Sequence, residues 1–337
     1  MEKKVVLSGI RATGRMHLGN LIGAIQDFVE LAKNPDYDCF YFIANLHTLT
    51  TRGDPDAIKR DLRGIVLDYL AAGLDPETVT IYAQSSIPEI TELSWLLACQ
   101  TGVSQLTDMH HWRDKKNRLE QEGLTANAGL LTYPVLMAAD ILAPRANIVP
   151  VGIDQHQHVE LARDLARRCN YRYNTDLFTI PDLLDREGVK VPGLDGSGKM
   201  GKSEDGRATI YLNDPEEMIT RKIMEAVTDT DRKRRTDAGD PGRCPFFAFH
   251  PLLSTKDEIL HVQNGCRDAS IGCRDCKRVV ADHVLTILKP FQERRRAVES
   301  DHERRIDEIL HEGGTRARRR IKETVDRAKD LMGVPAF

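Results

Sequence analysis

The stretch Val5-Val6-Leu7-Ser8-Gly9-Ile10-Arg11-Ala12-Thr13-Gly14, followed after two residues by His17-Leu18-Gly19-Asn20, decides how this chain folds. Its first six residues read as an apolar strand and the next four as a small-residue turn. His17-Leu18-Gly19-Asn20 then opens a helical pattern carried by Leu21, Ile22, Ile25 and Phe28. A glycine at a strand-to-helix turn lets backbone or a flat ring approach closely, and the free N–H groups of a helix start suit an anion. Beginning 179 residues after Asn20 stands Lys199-Met200-Gly201-Lys202-Ser203, two lysines three apart in a loop that also holds Gly193, Gly196 and Gly198. Two ammonium groups on a pliant backbone suit the charge that develops on a departing pyrophosphate. Alone, the first segment is a turn and a helix start, and the second a solvated loop. Together, in this order, they read as an ATP site.

Outward from this pair, short apolar strands alternate with amphipathic helices. Strands are expected at Val5–Ile10, Cys39–Ala44, Val79–Tyr82 and Ile148–Val151. Helices are expected at Asn20–Ala32, Pro55–Ala72, Ile90–Gln100, Gly129–Leu142 and Asp154–Cys169, with turns at Arg52-Gly53-Asp54-Pro55 and Gly73-Leu74-Asp75-Pro76. Such alternation predicts an α/β fold with a parallel sheet covered on both faces. After about residue 185 it stops. A Gly/Lys-rich loop runs to about residue 207, a Cys/Gly-rich insertion occupies about 240–276, and two long charged helices follow near Lys277–Ser300 and Asp301–Met332. We therefore expect a Rossmann-type catalytic domain over 1–207 and a helical domain over 208–337, the last helix returning toward the first domain.

With 337 residues, 41% of them hydrophobic and 29% charged, the chain suits two ordinary globular cores. Its start is too quickly polar for a signal peptide, and no run approaches the roughly 20 apolar residues of a membrane span. A cytoplasmic location without membrane contact is the expectation. Residues 1–220 carry 23 basic and 31 acidic side chains, net −8, whereas 221–337 carry 25 and 20, net +5. The excess gathers at Arg232-Lys233-Arg234-Arg235, at Arg294-Arg295-Arg296, and at Arg316 with Arg318-Arg319-Arg320. That asymmetry suggests a polyanion held mainly by the second half.

Cys244, Cys266, Cys273 and Cys276 form C-x21-C-x6-C-x2-C. In a reducing compartment four such thiols suggest a metal site, zinc or a [4Fe–4S] cluster, and ligand chemistry alone slightly favours zinc. Cys39, Cys99 and Cys169 read as core fillers. His47, His110, His111, His156 and His158 lack a spaced carboxylate partner and read as structural.

Taken together, the chain closely resembles the class I aminoacyl-tRNA synthetases, specifically the tryptophanyl-tRNA synthetases. Besides the two ATP signatures, the resemblance rests on Gly129-Leu130-Leu131-Thr132-Tyr133-Pro134-Val135-Leu136-Met137-Ala138-Ala139-Asp140-Ile141-Leu142 and on Val149-Pro150-Val151-Gly152-Ile153-Asp154-Gln155-His156-Gln157-His158 with the residues through Leu165. It implies a two-step reaction. The tryptophan carboxylate attacks the α-phosphorus of ATP, which arrives with Mg²⁺, and the adenylate then passes its acyl group to tRNA(Trp). It assigns ATP binding to Arg11, Ala12, Thr13, Gly19, Asn20, Gly152, Ile153, Asp154, Val191, Met200, Gly201 and Ser203. Lys199, Lys202, Lys115 and His17 would carry the charge chemistry. Asp140 would accept the indole N–H beside Met137, and Tyr133 and Gln155 would take the substrate ammonium. The resemblance also implies a homodimer, and it turns the four-cysteine reading toward the [4Fe–4S] cluster of a bacterial subset. Gly201 stands where serine is usual, Asn20 where histidine is usual, and Arg11 where some members have glutamine. Three competitors remain: a tyrosyl-tRNA synthetase, an RNA-binding module with iron–sulfur sensing, and a nucleotidylyltransferase.

Overall fold

The computed structural model describes residues 3–51, 53–123, 125–185, 189–201, 206–301 and 303–334. The opening stretch folds as read. β1 (Lys4–Ile10) leads through the turn into α1 (Leu18–Asn20), which continues by a π-helical turn, Leu21–Ile25, into α2 (Gln26–Ala32). Next come β2 (Tyr37–Ile43), α3 (Asn45–Thr48) and α4 (Pro55–Ala72). The bounds of α4 follow from local chemistry. Asp54 accepts from the Asp56 and Ala57 amides, Pro55 occupies the first turn, and Gly73, at φ 106°, supplies the left-handed stop.

β3 (Thr80–Ala83) is followed by α5 (Pro88–Ala98), α6 (Val103–Thr107), α7 (His110–Gln121) and α8 (Ala128–Leu142). Then β4 (Ile148–Val151), α9 (His156–Arg172) and β5 (Asp182–Asp185) complete the sheet. It is parallel throughout, in the order β3-β2-β1-β4-β5. β5 escaped the sequence reading because Asp182-Leu183-Leu184-Asp185 is a short edge strand bracketed by acids. The remaining helices are α10 (Glu216–Glu225), α11 (His250–Leu253), α12 (Lys256–Arg267), α13 (Cys273–Asp301) and α14 (Glu303–Leu331).

Alternation along each strand divides the core in two. Val6, Tyr41, Ile43 and Ile81 pack on one face with α2, α4 and α13, while Val5, Leu7, Phe40, Phe42 and Tyr82 pack on the other with α5, α8, α9 and α14. Burial on both faces explains why the strands read as continuous apolar runs. Each fully buried Leu or Ile, such as Leu7 or Ile43, contributes about 1.5–3 kcal/mol.

α14 covers the edge strand β3. The approach is so close that a Cβ on Gly313 would lie 1.8 Å from the Ile81 carbonyl oxygen, so only glycine fits there. Its apolar stripe, Ala317, Ile321, Val325 and Ala328, joins the second core. Internal bonds also employ part of the arginine excess. Arg294 donates to the Ala71 carbonyl at 2.6 Å and Arg295 to Asp68 at 2.8 Å. Arg316 donates to the Val79 carbonyl, Arg318 to Glu89 at 2.8 Å, and Arg320 to the Pro144 carbonyl at 2.7 Å. Five arginines of two basic clusters thus bolt α13 and α14 to the sheet layer, while Arg296 and Arg319 stay exposed. In the third, Arg232 and Arg235 brace the carbonyls of Ile271 and Ser270.

The strand order reverses between β1 and β4, and there the carboxyl ends of the strands open a crevice.

Candidate functional site

The two signature segments meet because the chain just after the lysine loop returns to pair with the first segment. The Leu18 amide donates to the Ile210 carbonyl at 2.9 Å, the Leu212 amide donates to Met16 at 3.0 Å, and Met200 donates to Val191 at 2.6 Å. The result is a cleft of about 950 Å³. It is lined by Arg11, Thr13, His17, Gly19, Asn20, Gly152, Ile153, Asp154, Val191, Lys199, Met200 and Gly201 among others, nearly the whole expected nucleotide set. Ala12 instead lies in the hydrophobic core. Lys202 and Ser203 lie outside the described residues. Lys190 is a further cation on the lining that the sequence reading passed over. Asn20 turns its carbonyl oxygen to the His17 amide at 3.1 Å, which fixes the side chain and leaves its NH₂ as donor. A Cβ on Gly201 would come no closer than 3.9 Å to the Lys199 carbonyl, so serine would fit at that position.

A second cavity of about 410 Å³ opens off the first, and Arg11 and Lys199 line both. Phe42, Met137, Ile141 and Val149 give it apolar walls. At its floor Asp140, 1% exposed, is bonded to His47 Nε2 at 2.8 Å and to Gln84 Nε2 at 2.9 and 2.8 Å. Gln84 is itself fixed, because its Oε1 accepts the Leu46 amide at 3.1 Å and the His47 amide at 3.4 Å. Burial raises the Asp140 carboxyl above the ordinary carboxylate range, while the bond and charge of His47 and the bond from Gln84 draw it back. The expected buried acceptor is therefore not solitary. It is a three-residue group assembled from α3, the turn after β3 and α8.

Tyr133 and Gln155 line the same cavity. The Tyr133 hydroxyl is bonded to His111 and, at 2.8 Å, to His158, whose Nδ1 lies 3.1 Å from the Gln155 amide oxygen. Burial pushes both histidines down to about 4, so they are neutral at pH 7. His47 and His111, read as structural from sequence, thus line the pocket, and His158 stands behind it bonded to Tyr133. Their signal was hidden, since the bonds to Asp140 and Tyr133 span more than 20 residues of sequence. Lys115, on α7, faces this cavity rather than the cleft, and burial, with Arg11 adding, lowers it to about 8. Arg11 donates to the His47 carbonyl at 3.2 Å and to Thr51 at 2.7 Å, and its buried Nε has no partner in the structure.

Chemically, apolar walls beside a fixed, buried carboxylate acceptor suit a flat group with an N–H. Cations at the junction of slot and cleft suit a carboxylate meeting a phosphate.

Cys244, Cys266, Cys273 and Cys276 line one small, mostly apolar cavity with Val262 and Ile271. Arg232 lies 3.7 Å from the Cys266 sulfur and His250 lies 3.2 Å from that of Cys276. Among the described residues, no three His, Cys, Asp or Glu side chains form a group ready for a single metal ion. Cys39 and Cys169 are buried as expected. Cys99 is exposed, because it caps the C-terminal end of α5, and is no core filler.

The family profile described as tRNA synthetases class I (W and Y) matches residues 1–289. The chain is 39% identical over 331 residues to a tryptophan–tRNA ligase of Deinococcus radiodurans, covering 97% of this chain and 98% of that one. It is 40% identical over 332 residues to that of Porphyromonas gingivalis, covering 98% and 99%. The crystal structure of a Campylobacter jejuni tryptophanyl-tRNA synthetase complexed with ADP and tryptophan superposes with a TM-score of 0.83 at 31% identity, covering 98% of this chain and 99% of that one. No helix among the described residues is long and apolar enough to cross a membrane.

Proposed function

The chain belongs to the class I tRNA synthetases for tryptophan and tyrosine, and on that premise we propose how its residues perform the reaction. The activity is that of a tryptophan–tRNA ligase: ATP-dependent activation of L-tryptophan and transfer to tRNA(Trp). The observation that carries the residue assignment is the Asp140–His47–Gln84 floor. Indole offers one donor and no acceptor, and Asp140 offers an acceptor locked in place. Tyrosine's hydroxyl both donates and accepts. The side chains bonded to Asp140 are a histidine and an amide, with no tyrosine hydroxyl among them. Seated there, tryptophan places its ammonium by Tyr133 and Gln155 and its carboxylate toward Arg11 and Lys115. Attack on the α-phosphorus then occurs where slot and cleft join, with Lys199, Lys202 and His17 balancing the charge on the departing pyrophosphate. Mg²⁺ enters with ATP. Thr13, Asn20, Gly152 and Asp154 hold phosphate and ribose, and Gly19 leaves room for adenine. ATP–pyrophosphate exchange against all 20 amino acids tests this: exchange with tryptophan alone supports it, and exchange with tyrosine removes the indole assignment.

The catalytic unit is proposed to span 1–207 and the tRNA-binding unit 208–337, working as a homodimer in the cytoplasm. Sedimentation at micromolar concentration checks the dimer. We also propose that Cys244, Cys266, Cys273 and Cys276 hold a [4Fe–4S] cluster. Four thiols around one apolar cavity with Arg232 beside them suit a cluster that carries net negative charge. When bound, the cluster would brace the region between α10 and α13 and supply no redox step. Brown protein absorbing at about 400 nm supports it, and colourless protein with stoichiometric zinc overturns it.

A further inference from the structure

Tyr133 and Gln155 carry a run of hydrogen bonds along the cavity wall whose direction can be worked out. Gln155 Nε2 lies 3.0 Å from Asp154 Oδ2, and a carboxylate only accepts, so the amide nitrogen faces Asp154 and Oε1 faces His158. Oε1 also only accepts, so His158 Nδ1, 3.1 Å away, carries the ring proton. A neutral imidazole then has only a lone pair at Nε2. The Tyr133 hydroxyl, 2.8 Å from it, must therefore donate its single proton there. With that proton committed, His111 Nδ1, bonded to the same oxygen, must be a donor too.

We propose that His158 is a positioning residue: by taking the Tyr133 proton it turns the phenol oxygen toward the cavity as an acceptor for the substrate's α-ammonium. His158 is 1% exposed and does not line the cavity, so it acts through Tyr133 rather than on the substrate. The neutral state that the chain needs is the one burial imposes on both histidines. An imidazolium at His158 would donate from both nitrogens, reverse the phenol and repel the ammonium. Asp154, which anchors the run, lines the nucleotide cleft, whereas Tyr133 lines the amino-acid cavity. One chain of bonds thus sets the donor and acceptor pattern of the ammonium site from the ATP side. The inference rests on the reading that Tyr133 and Gln155 receive the ammonium.

The test compares L-tryptophan with indole-3-propionate, which keeps indole and carboxylate but lacks the ammonium, by calorimetry on the full-length protein. In His158→Leu the tryptophan Kd should rise about tenfold or more while that of indole-3-propionate stays within about twofold, as loss of one bond to a charged group requires. His158→Gln, whose amide oxygen can still accept from Tyr133, should restore most of the difference. His158→Asn, too short to reach Tyr133, should repeat the selective loss and serves if the leucine variant does not fold. Equal loss for both ligands, or none, overturns the proposal. Tyr133→Phe separates the two layers. If it removes the preference for tryptophan while His158→Leu does not, the ammonium reading stands and the proposal falls. If Tyr133→Phe leaves the preference intact, both fall.

Discussion

The cavity proposed for the amino acid and the cleft proposed for the nucleotide share Arg11 and Lys199 but are built in opposite ways. The cavity draws its polar groups from α3, from the turn after β3 and from the long helices α7, α8 and α9. Nearly all of them are already bonded: Asp140 to His47 and Gln84, Gln84 to two backbone amides, and Tyr133 to two histidines. The cleft is more than twice as large and is walled by a turn after β1 and by the 189–201 segment, which has no regular secondary structure. Selectivity needs a fixed pattern of donors and acceptors, so it sits on rigid elements. Charge neutralisation over a large, already charged ligand tolerates loops.

The sharpest way to break this contrast is Asp140→Ala. Removing an acceptor around which the site is built should lower kcat/KM for tryptophan about 10⁴-fold, read by pyrophosphate exchange; a loss under about tenfold would mean that the floor does not select. Second in size is Arg295→Leu, which acts behind the cleft. Arg295 compensates Asp68, and both line a small cavity under Gly14, whose amide is held by Asp61. Leaving that carboxylate unpaired should cost about 3–5 kcal/mol of stability. Burial raises Asp68 to about 6 even with Arg295 opposing it. A raised carboxyl favours the folded state when protonated, so this contribution is present below about pH 4 and lost as pH rises through 6. The variant's deficit should therefore be larger at pH 8 than at pH 5 in urea unfolding, with tryptophan affinity unchanged.

Lys199→Ala probes the shared rim. The loss of one cation from the transition state should slow exchange about 10²-fold while the tryptophan Kd stays within about twofold; equal loss in both would make Lys199 a part of the pocket instead. The smallest effect concerns Lys115, lowered to about 8 by burial and Arg11. Its positive charge is present below that pH and lost above it. Exchange should fall about tenfold by one pH unit above 8, and Lys115→Arg, which stays charged, should flatten the decline.

How much of this was legible varies with the range of the interaction. The bounds of α4 were readable to the residue, because Asp54, Pro55 and Gly73 act within one turn. The nucleotide cleft was almost fully readable, because the turn at Arg11–Asn20 and the lysine loop each carry their own backbone chemistry. β5 was not, since two leucines between aspartates look like loop until β4 pairs with them. The arginine clusters were only partly legible, because a guanidinium that donates to a carbonyl such as that of Ala71 or Pro144 has the same sequence signature as one facing a phosphate.

By itself the sequence determined the alternating sheet, the paired ATP signatures and the four-cysteine group, while Asp140 entered as an acceptor through the family resemblance. The first three depend on residue type and on spacing along the chain. Only the tertiary structure decided that His47 and Gln84 hold Asp140 from 93 and 56 residues away. It also decided that His158 faces Tyr133 and that α14 lies on β3 through Gly313. Hydrogen-bond direction and close packing are properties of three-dimensional approach, which spacing along a chain does not specify.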